Sequence, residues 1–116
     1  RCICVACGAA DADPDHEVKA QSLLPANLRT AAPRWRLGGG CKTCGGSGYQ
    51  GRSGVFEAVR ITPVIQHAIR NREPEAELAA LARRDGFTSL LENGLTKARQ
   101  GQTTFVEALR VFGAGA

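Results

Sequence analysis

Apolar positions in the second half of the chain recur at helical spacing, and the breaks between them carry helix punctuation. Thr62-Pro63 reads as an N-cap and first helical position, after which Ile65, Ala68 and Ile69 give one apolar stripe. A second helix begins near Pro74 and carries Leu78, Leu81 and Ala82 on one side. Gly86 is positioned to end it in a left-handed conformation, with Phe87 folding back on the last turn. Ser89-Leu90-Leu91-Glu92 matches a capping box and opens a third helix, whose Leu91, Leu95 and Ala98 line one face until Gly101. Thr104-Phe105-Val106-Glu107 repeats the box and starts a last helix with Phe105, Leu109 and Phe112 inward. Helices this short do not persist alone, so a bundle of about four is predicted. Gly94 inside the third helix costs about 1 kcal/mol relative to alanine, which points to a close helix crossing.

The first half reads differently. Residues 9 to 14 form a turn or linker, and Asp15 or an adjacent residue caps a short helix that runs to about Leu24 and is ended by Pro25. After Pro33, the alternating run Arg34-Trp35-Arg36-Leu37 is predicted to pair with Val55 to Ile61 in a small antiparallel sheet, with Trp35 or Leu37 toward the core. Between these two runs lies the stretch with the most specific chemistry, Gly40 to Glu57.

That stretch holds Cys41-x-x-Cys44, and the chain supplies a second pair, Cys4-x-x-Cys7, with residues 8 to 40 between them. A Cys-x-x-Cys turn chelates only as a half-site, because tetrahedral zinc takes four ligands; two such pairs predict one closed, structural Zn–S₄ site. Glycine follows each pair, at Gly8 and Gly45, as suits a knuckle whose backbone N–H groups turn toward thiolate sulfur. The alternative, two disulfides, needs an oxidising compartment. Cys2 has no partner at knuckle spacing and reads as a spare thiol. His16 and His67 read as surface residues rather than ligands, since four cysteines already close the site. The fold class expected is therefore small α+β. Residues 1–60 form a tetracysteine zinc-knuckle subdomain with a short antiparallel sheet, and residues 61–116 form a helical subdomain.

Composition changes this picture little. The 116 residues suffice for one domain or two small subdomains, and 43% hydrophobic with 22% charged residues is ordinary for a globular chain. No apolar run approaches 18 residues and no signal-peptide pattern is present, so no membrane span is expected. The chain begins on Arg1 beside a knuckle, as an excised portion of a longer protein would. A net charge of +4 raises the question of nucleic acid. Four thiolates around Zn²⁺ carry a local −2, however, which Arg1, Arg34, Arg36 and Lys42 would offset. Trp35 and Tyr49 stand alone as stacking surfaces, and no nucleic-acid partner is expected.

Several segments together carry a resemblance. Cys4-Val5-Ala6-Cys7, Gly40-Cys41-Lys42-Thr43-Cys44 and Gly48-Tyr49-Gln50-Gly51-Arg52-Ser53-Gly54-Val55-Phe56-Glu57 resemble the tetracysteine segment of type II secretion and type IV pilus assembly ATPases. Asp85 to Leu90, Asn93 to Ala98, Gly101 to Thr104 and Glu107 to Val111 are similar to that family's C-terminal helices. The resemblance implies a cytoplasmic, hexameric motor that hydrolyses ATP with Mg²⁺. It also implies docking on an inner-membrane platform protein, so that the chain's partners are neighbouring subunits and that platform. The ATP site is expected outside this chain, because Gly-x-x-x-x-Gly-Lys-Ser/Thr does not occur in it. The chain alone is then not an enzyme, and supplies metal-stabilised structure, an interface or a docking surface.

Arg52 is singled out by its place in a turn where Gly48, Gly51 and Gly54 recur every three residues, with Tyr49 and Arg52 expected to project outward. It either pairs with a carboxylate such as Glu57 or, as the resemblance implies, faces a subunit interface or a neighbouring nucleotide. Two other classes compete. Cys41 to Gly48 also satisfies the Cys-x-x-Cys-x-Gly-x-Gly of the J-protein chaperone zinc region, in one copy rather than four, and a nucleic-acid-binding zinc ribbon is a third reading. A redox enzyme is disfavoured, since a closed Zn–S₄ site has no open position.

Overall fold

The two knuckles are brought together by the shortest of ladders. In the computed structural model, which describes residues 1–113, β1 (Gly8–Ala10) leaves the first knuckle directly and β2 (Arg36–Gly38) leads into the second. They pair antiparallel with Gly8 opposite Gly38, Ala9 opposite Leu37 and Ala10 opposite Arg36. The expected partner of this run, Val55 to Ile61, forms no strand. The edge it would have used is taken by β1, which the knuckle turn delivers to the spot. Left without a ladder, the run stays open to solvent, with Phe56 78% and Ile61 48% exposed. Trp35, just before β2, is the residue of its run that reaches the core, while Leu37 is largely exposed.

Between the strands, α1 (Pro14–Leu23) starts on proline and is capped by Asp13, whose carboxylate accepts from the Asp15 N–H at 2.9 Å. Leu24 turns extended ahead of Pro25, and a short 3₁₀ turn follows at Ala26–Leu28. The helix contributes Ala20, with Leu24 just after it, to a core that also holds Trp35, Leu91, Leu95, Ala98, Phe105 and Ala108. Most of those residues come from α4 (Leu90–Arg99) and α5 (Phe105–Phe112), far along the chain. Gly94 marks where these two helices cross: a Cβ there would lie 2.7 Å from Phe112 Cδ2. Thr104 caps α5 by accepting from the Glu107 N–H at 3.0 Å. Glu107 does not return the bond as a full capping box would; its carboxylate goes to Arg1 and Arg110 instead.

One compact unit therefore consists of Arg1–Val55 together with residues from Leu90 onward, and a second of Phe56–Ser89. A break near residue 60 is not where the chain divides. The apolar faces of α4 and α5 pack with Trp35 and the α1 face, so the last two helices join the knuckle unit. The second unit is a helical hairpin of α2 (Pro63–Arg70) and α3 (Glu75–Arg84). Thr62 caps α2 through the Ile65 N–H, and the Phe87 N–H closes on the Ala82 carbonyl at 3.1 Å just past α3, as the sequence predicts. Ile65, Ala68 and Ala82 are buried there, but Ile69 is half exposed, so the stripe on α2 is narrower than its sequence suggests.

His16 also departs from expectation. His67 is exposed and bonds Asn71, but the His16 ring stacks on Phe105 at 4.7 Å and meets the edge of Trp35 at 6.2 Å. Its Nδ1 lies 2.8 Å from the Asp11 carboxylate. Beside it, Arg99 and Glu17 pair at 2.7 Å and the Trp35 indole N–H donates to Glu17 at 2.8 Å. Arg99 foremost, and the Gln21 and Trp35 donors after it, hold the Glu17 carboxyl below its usual range against the cost of burial. This network ties α1 to α4.

Candidate metal centre

Each knuckle is a tight turn braced by the other. Beyond the second pair, the Gly46 N–H donates to the Cys41 carbonyl at 2.8 Å, and the Cys4 N–H donates to the Gly48 carbonyl at 2.9 Å. That last bond seats the first knuckle on the segment after the second. Its closeness leaves no space for side chains: a Cβ on Gly48 would stand 2.3 Å from the Gly38 carbonyl oxygen, and Gly48 itself has φ +80°.

The four thiols converge. Cys4 Sγ lies 3.8 Å from Cys41 Sγ, Cys7 Sγ 3.8 Å from Cys44 Sγ, and Cys41 Sγ 3.7 Å from Cys44 Sγ. All four sulfurs fall within 4.8 Å of one another, and Cys2 is outside the group. A tetrahedron with Zn–S bonds of about 2.3 Å has edges of about 3.8 Å, so this donor set fits a four-coordinate zinc ion with every position filled by sulfur. Cys4 is fully buried and the other three are partly so.

The thiols are not equivalent. Although burial raises Cys44, the N–H groups of Cys41 and Gly48, each 3.2 Å from its sulfur, bring it down to about 6. Cys7 is pushed up to about 11, chiefly by burial, with the Gly40 N–H opposing. Cys41 is lowered, first by the Cys44 N–H. The Cys44 sulfur is thus the most readily ionised of these thiols, and Cys7 holds its proton the more tightly.

The centre stands on the helical part of its own unit. Ile3 bridges to Tyr49, and the Tyr49 hydroxyl is 2.7 Å from Thr104 Oγ1 at the start of α5. The Arg1 guanidinium lies 4.2 Å over the Tyr49 ring and bonds the buried Glu107 at 2.8 Å. Arg110 first and Arg1 next hold the Glu107 carboxyl well below the usual carboxylate range. Tyr49 therefore points into the unit, contrary to the outward projection its spacing suggests. Arg52 does project: it is exposed and, among the described residues, makes no hydrogen bond or ion pair, with Glu57 or any other carboxylate. Sequence reasoning did not single out Lys97, whose ammonium reaches Ser53 Oγ at 2.6 Å and the Gly54 carbonyl at 2.5 Å. A lysine in the last turn of a helix is common and carries no local sign of so distant a contact.

No helix among the described residues is long and apolar enough to cross a membrane. Comparison with known proteins gives a consistent result. Residues 1–110 match the family described as "Type II/IV secretion system protein". The type IV pilus assembly ATPase PilB of Thermus thermophilus is 40% identical over 97 residues, covering 83% of this chain and 11% of that protein. The protein transport protein HofB homolog of Escherichia coli is 35% identical over 114 residues, 97% of this chain and 23% of that protein. The type II secretion system protein E of Pseudomonas aeruginosa is 32% identical over 111 residues, 96% of this chain and 21% of that protein. The chain thus spans less than a quarter of the length of these curated relatives. Its four-thiol centre and the C-terminal helices on which that centre rests lie inside the matched region, and the chain belongs to the type II/IV secretion system protein family.

Proposed function

We propose that this chain is the C-terminal zinc-binding and helical part of a cytoplasmic, hexameric ATPase that powers type II protein secretion or type IV pilus assembly. The observation that carries the reading is the convergence of the sulfurs of Cys4, Cys7, Cys41 and Cys44, all within 4.8 Å of one another and three pairs of them 3.7 to 3.8 Å apart, in a chain whose relatives include a type IV pilus assembly ATPase and a type II secretion system protein E. The zinc it holds is structural, because no coordination position is left for substrate or water. ATP and Mg²⁺ belong to a part of the protein outside this chain, since the phosphate-binding run is missing from it. The chain's own work is to stiffen an interface between neighbouring subunits of a homohexamer or to dock on an inner-membrane platform protein, peripheral to that membrane. Arg52, exposed and unpaired among the described residues, is the side chain offered to that interface or to a neighbouring nucleotide.

The test is metal content in paired variants. Cys2→Ser is expected to keep one zinc per chain and Cys41→Ser to lose it, with calorimetric titration of the unaltered chain giving no micromolar binding of Mg-ATP. Zinc lost from the first variant, zinc retained at normal affinity in the second, or tight Mg-ATP binding would overturn the assignment.

A further inference from the structure

The turn that carries Arg52 is closed from both sides. On one side the Cys2 N–H donates to the Gly51 carbonyl and the Gln50 N–H to the Cys2 carbonyl, each at 2.9 Å. On the other, Lys97 from the last turn of α4 reaches across to Ser53 Oγ at 2.6 Å and to the Gly54 carbonyl at 2.5 Å. Both acceptors are neutral, and among the described residues the Lys97 ammonium forms no ion pair. An exposed lysine ordinarily keeps its rotamer freedom in water. Here that freedom is given up for two bonds to the atoms that immediately follow Arg52, and among the described residues the guanidinium between the two clasps has no hydrogen-bond or ion-pair partner.

The geometry points to Lys97 as a positioning residue for Arg52: by holding Ser53 and Gly54 it presents the guanidinium to an anionic group outside this chain, a phosphoryl or a carboxylate. The inference rests on the reading of Arg52 given above and adds the device that sets where Arg52 stands. Its action is geometric. A fixed guanidinium meets charge developing at a reacting centre without reorganising, whereas one on a loose turn must be ordered during each turnover. Turnover is accordingly the quantity that should fall, with ground-state nucleotide binding little altered.

The experiment uses the full-length assembled protein and steady-state ATP hydrolysis, with zinc content and hexamer formation measured for each variant. Arg52→Ala is expected to lower kcat at least about tenfold. Lys97→Met, similar in length but without donors, is expected to lower kcat about three- to tenfold, with KM for ATP and zinc unchanged. Lys97→Arg restores most of the rate because its donors can still span the two oxygens. The double variant Arg52→Ala/Lys97→Met is expected to be no slower than Arg52→Ala alone, since Lys97 acts only through Arg52. Should Lys97→Met lose zinc or fail to assemble, Ser53→Ala removes one acceptor and is judged by the same criteria. If Arg52→Ala slows turnover while Lys97→Met leaves it unchanged, or if the two losses multiply, the positioning role is overturned and the Arg52 reading stands. If Arg52→Ala turns over normally, the Arg52 reading fails and this inference with it.

Discussion

Gly38 and Gly48 face each other with only backbone between them, and the four-thiol cluster depends on that approach. Gly48 donates its N–H to Cys44 Sγ and accepts from the Cys4 N–H, so one residue touches both knuckles. Gly48→Ala would place a methyl 2.3 Å from the Gly38 carbonyl oxygen at a φ that L-residues avoid. The expected outcome is a loss of roughly 2 to 3 kcal/mol, read by denaturant unfolding, together with weaker zinc retention against a chelator. Gly39, around which there is open space, serves as the control, and Gly39→Ala should be close to neutral. At this scale the convergence of the four thiols was legible in the sequence, because each Cys-x-x-Cys turn brings two sulfurs to one side of the backbone. Lys97 and Tyr49 were not, because their partners Ser53 and Thr104 lie far away along the chain.

Among the elements, α4 and α5 cross where Gly94 meets the ring of Phe112. Helix propensity alone favours Gly94→Ala by about 1 kcal/mol. The methyl would overlap Phe112 Cδ2 at 2.7 Å, so the ring has to leave its seat and the net effect is expected to be destabilising by about 1 kcal/mol. In a Phe112→Ala background the clash is gone and Gly94→Ala should turn stabilising; thermal unfolding of the two pairs of variants checks the reversal. The helices themselves were readable because caps, prolines and terminating glycines act within a turn of their own position, as at Thr62, Gly86 and Thr104. The sheet was not. Three-residue strands are too short to display alternation, and the choice between β1 and the Val55 to Ile61 run as partner for Arg36–Gly38 depended on which segment the knuckle carried to that edge.

Over the whole molecule, the unit that holds the four thiols also contains α1, α4 and α5, while α2 and α3 belong to the other. The division expected near residue 60 followed the change in texture along the chain, from cysteines and glycines to helices; the contacts follow the apolar faces instead. Metal removal should therefore be felt far from the ligands in sequence. On chelation, amides of Leu90–Arg99 and Phe105–Phe112 are expected to lose hydrogen-exchange protection along with the knuckles, while Pro63–Arg70 and Glu75–Arg84 change much less. Equal loss in all four helices, or loss confined to residues 1 to 55, would contradict that coupling. The same arrangement bears on synthesis. Ile3 hydrogen-bonds to Gln102 and Arg1 to Glu107, so the first knuckle cannot complete its seat until nearly all of this chain has been translated. At about 5 to 20 residues per second, Glu107 follows Cys44 out of the ribosome by on the order of 3 to 13 s. Through that interval Cys4 and Cys7 wait without the helices that later cover them, open to oxidation or to the wrong thiol, and early capture of zinc by the two knuckles is what would protect the nascent chain.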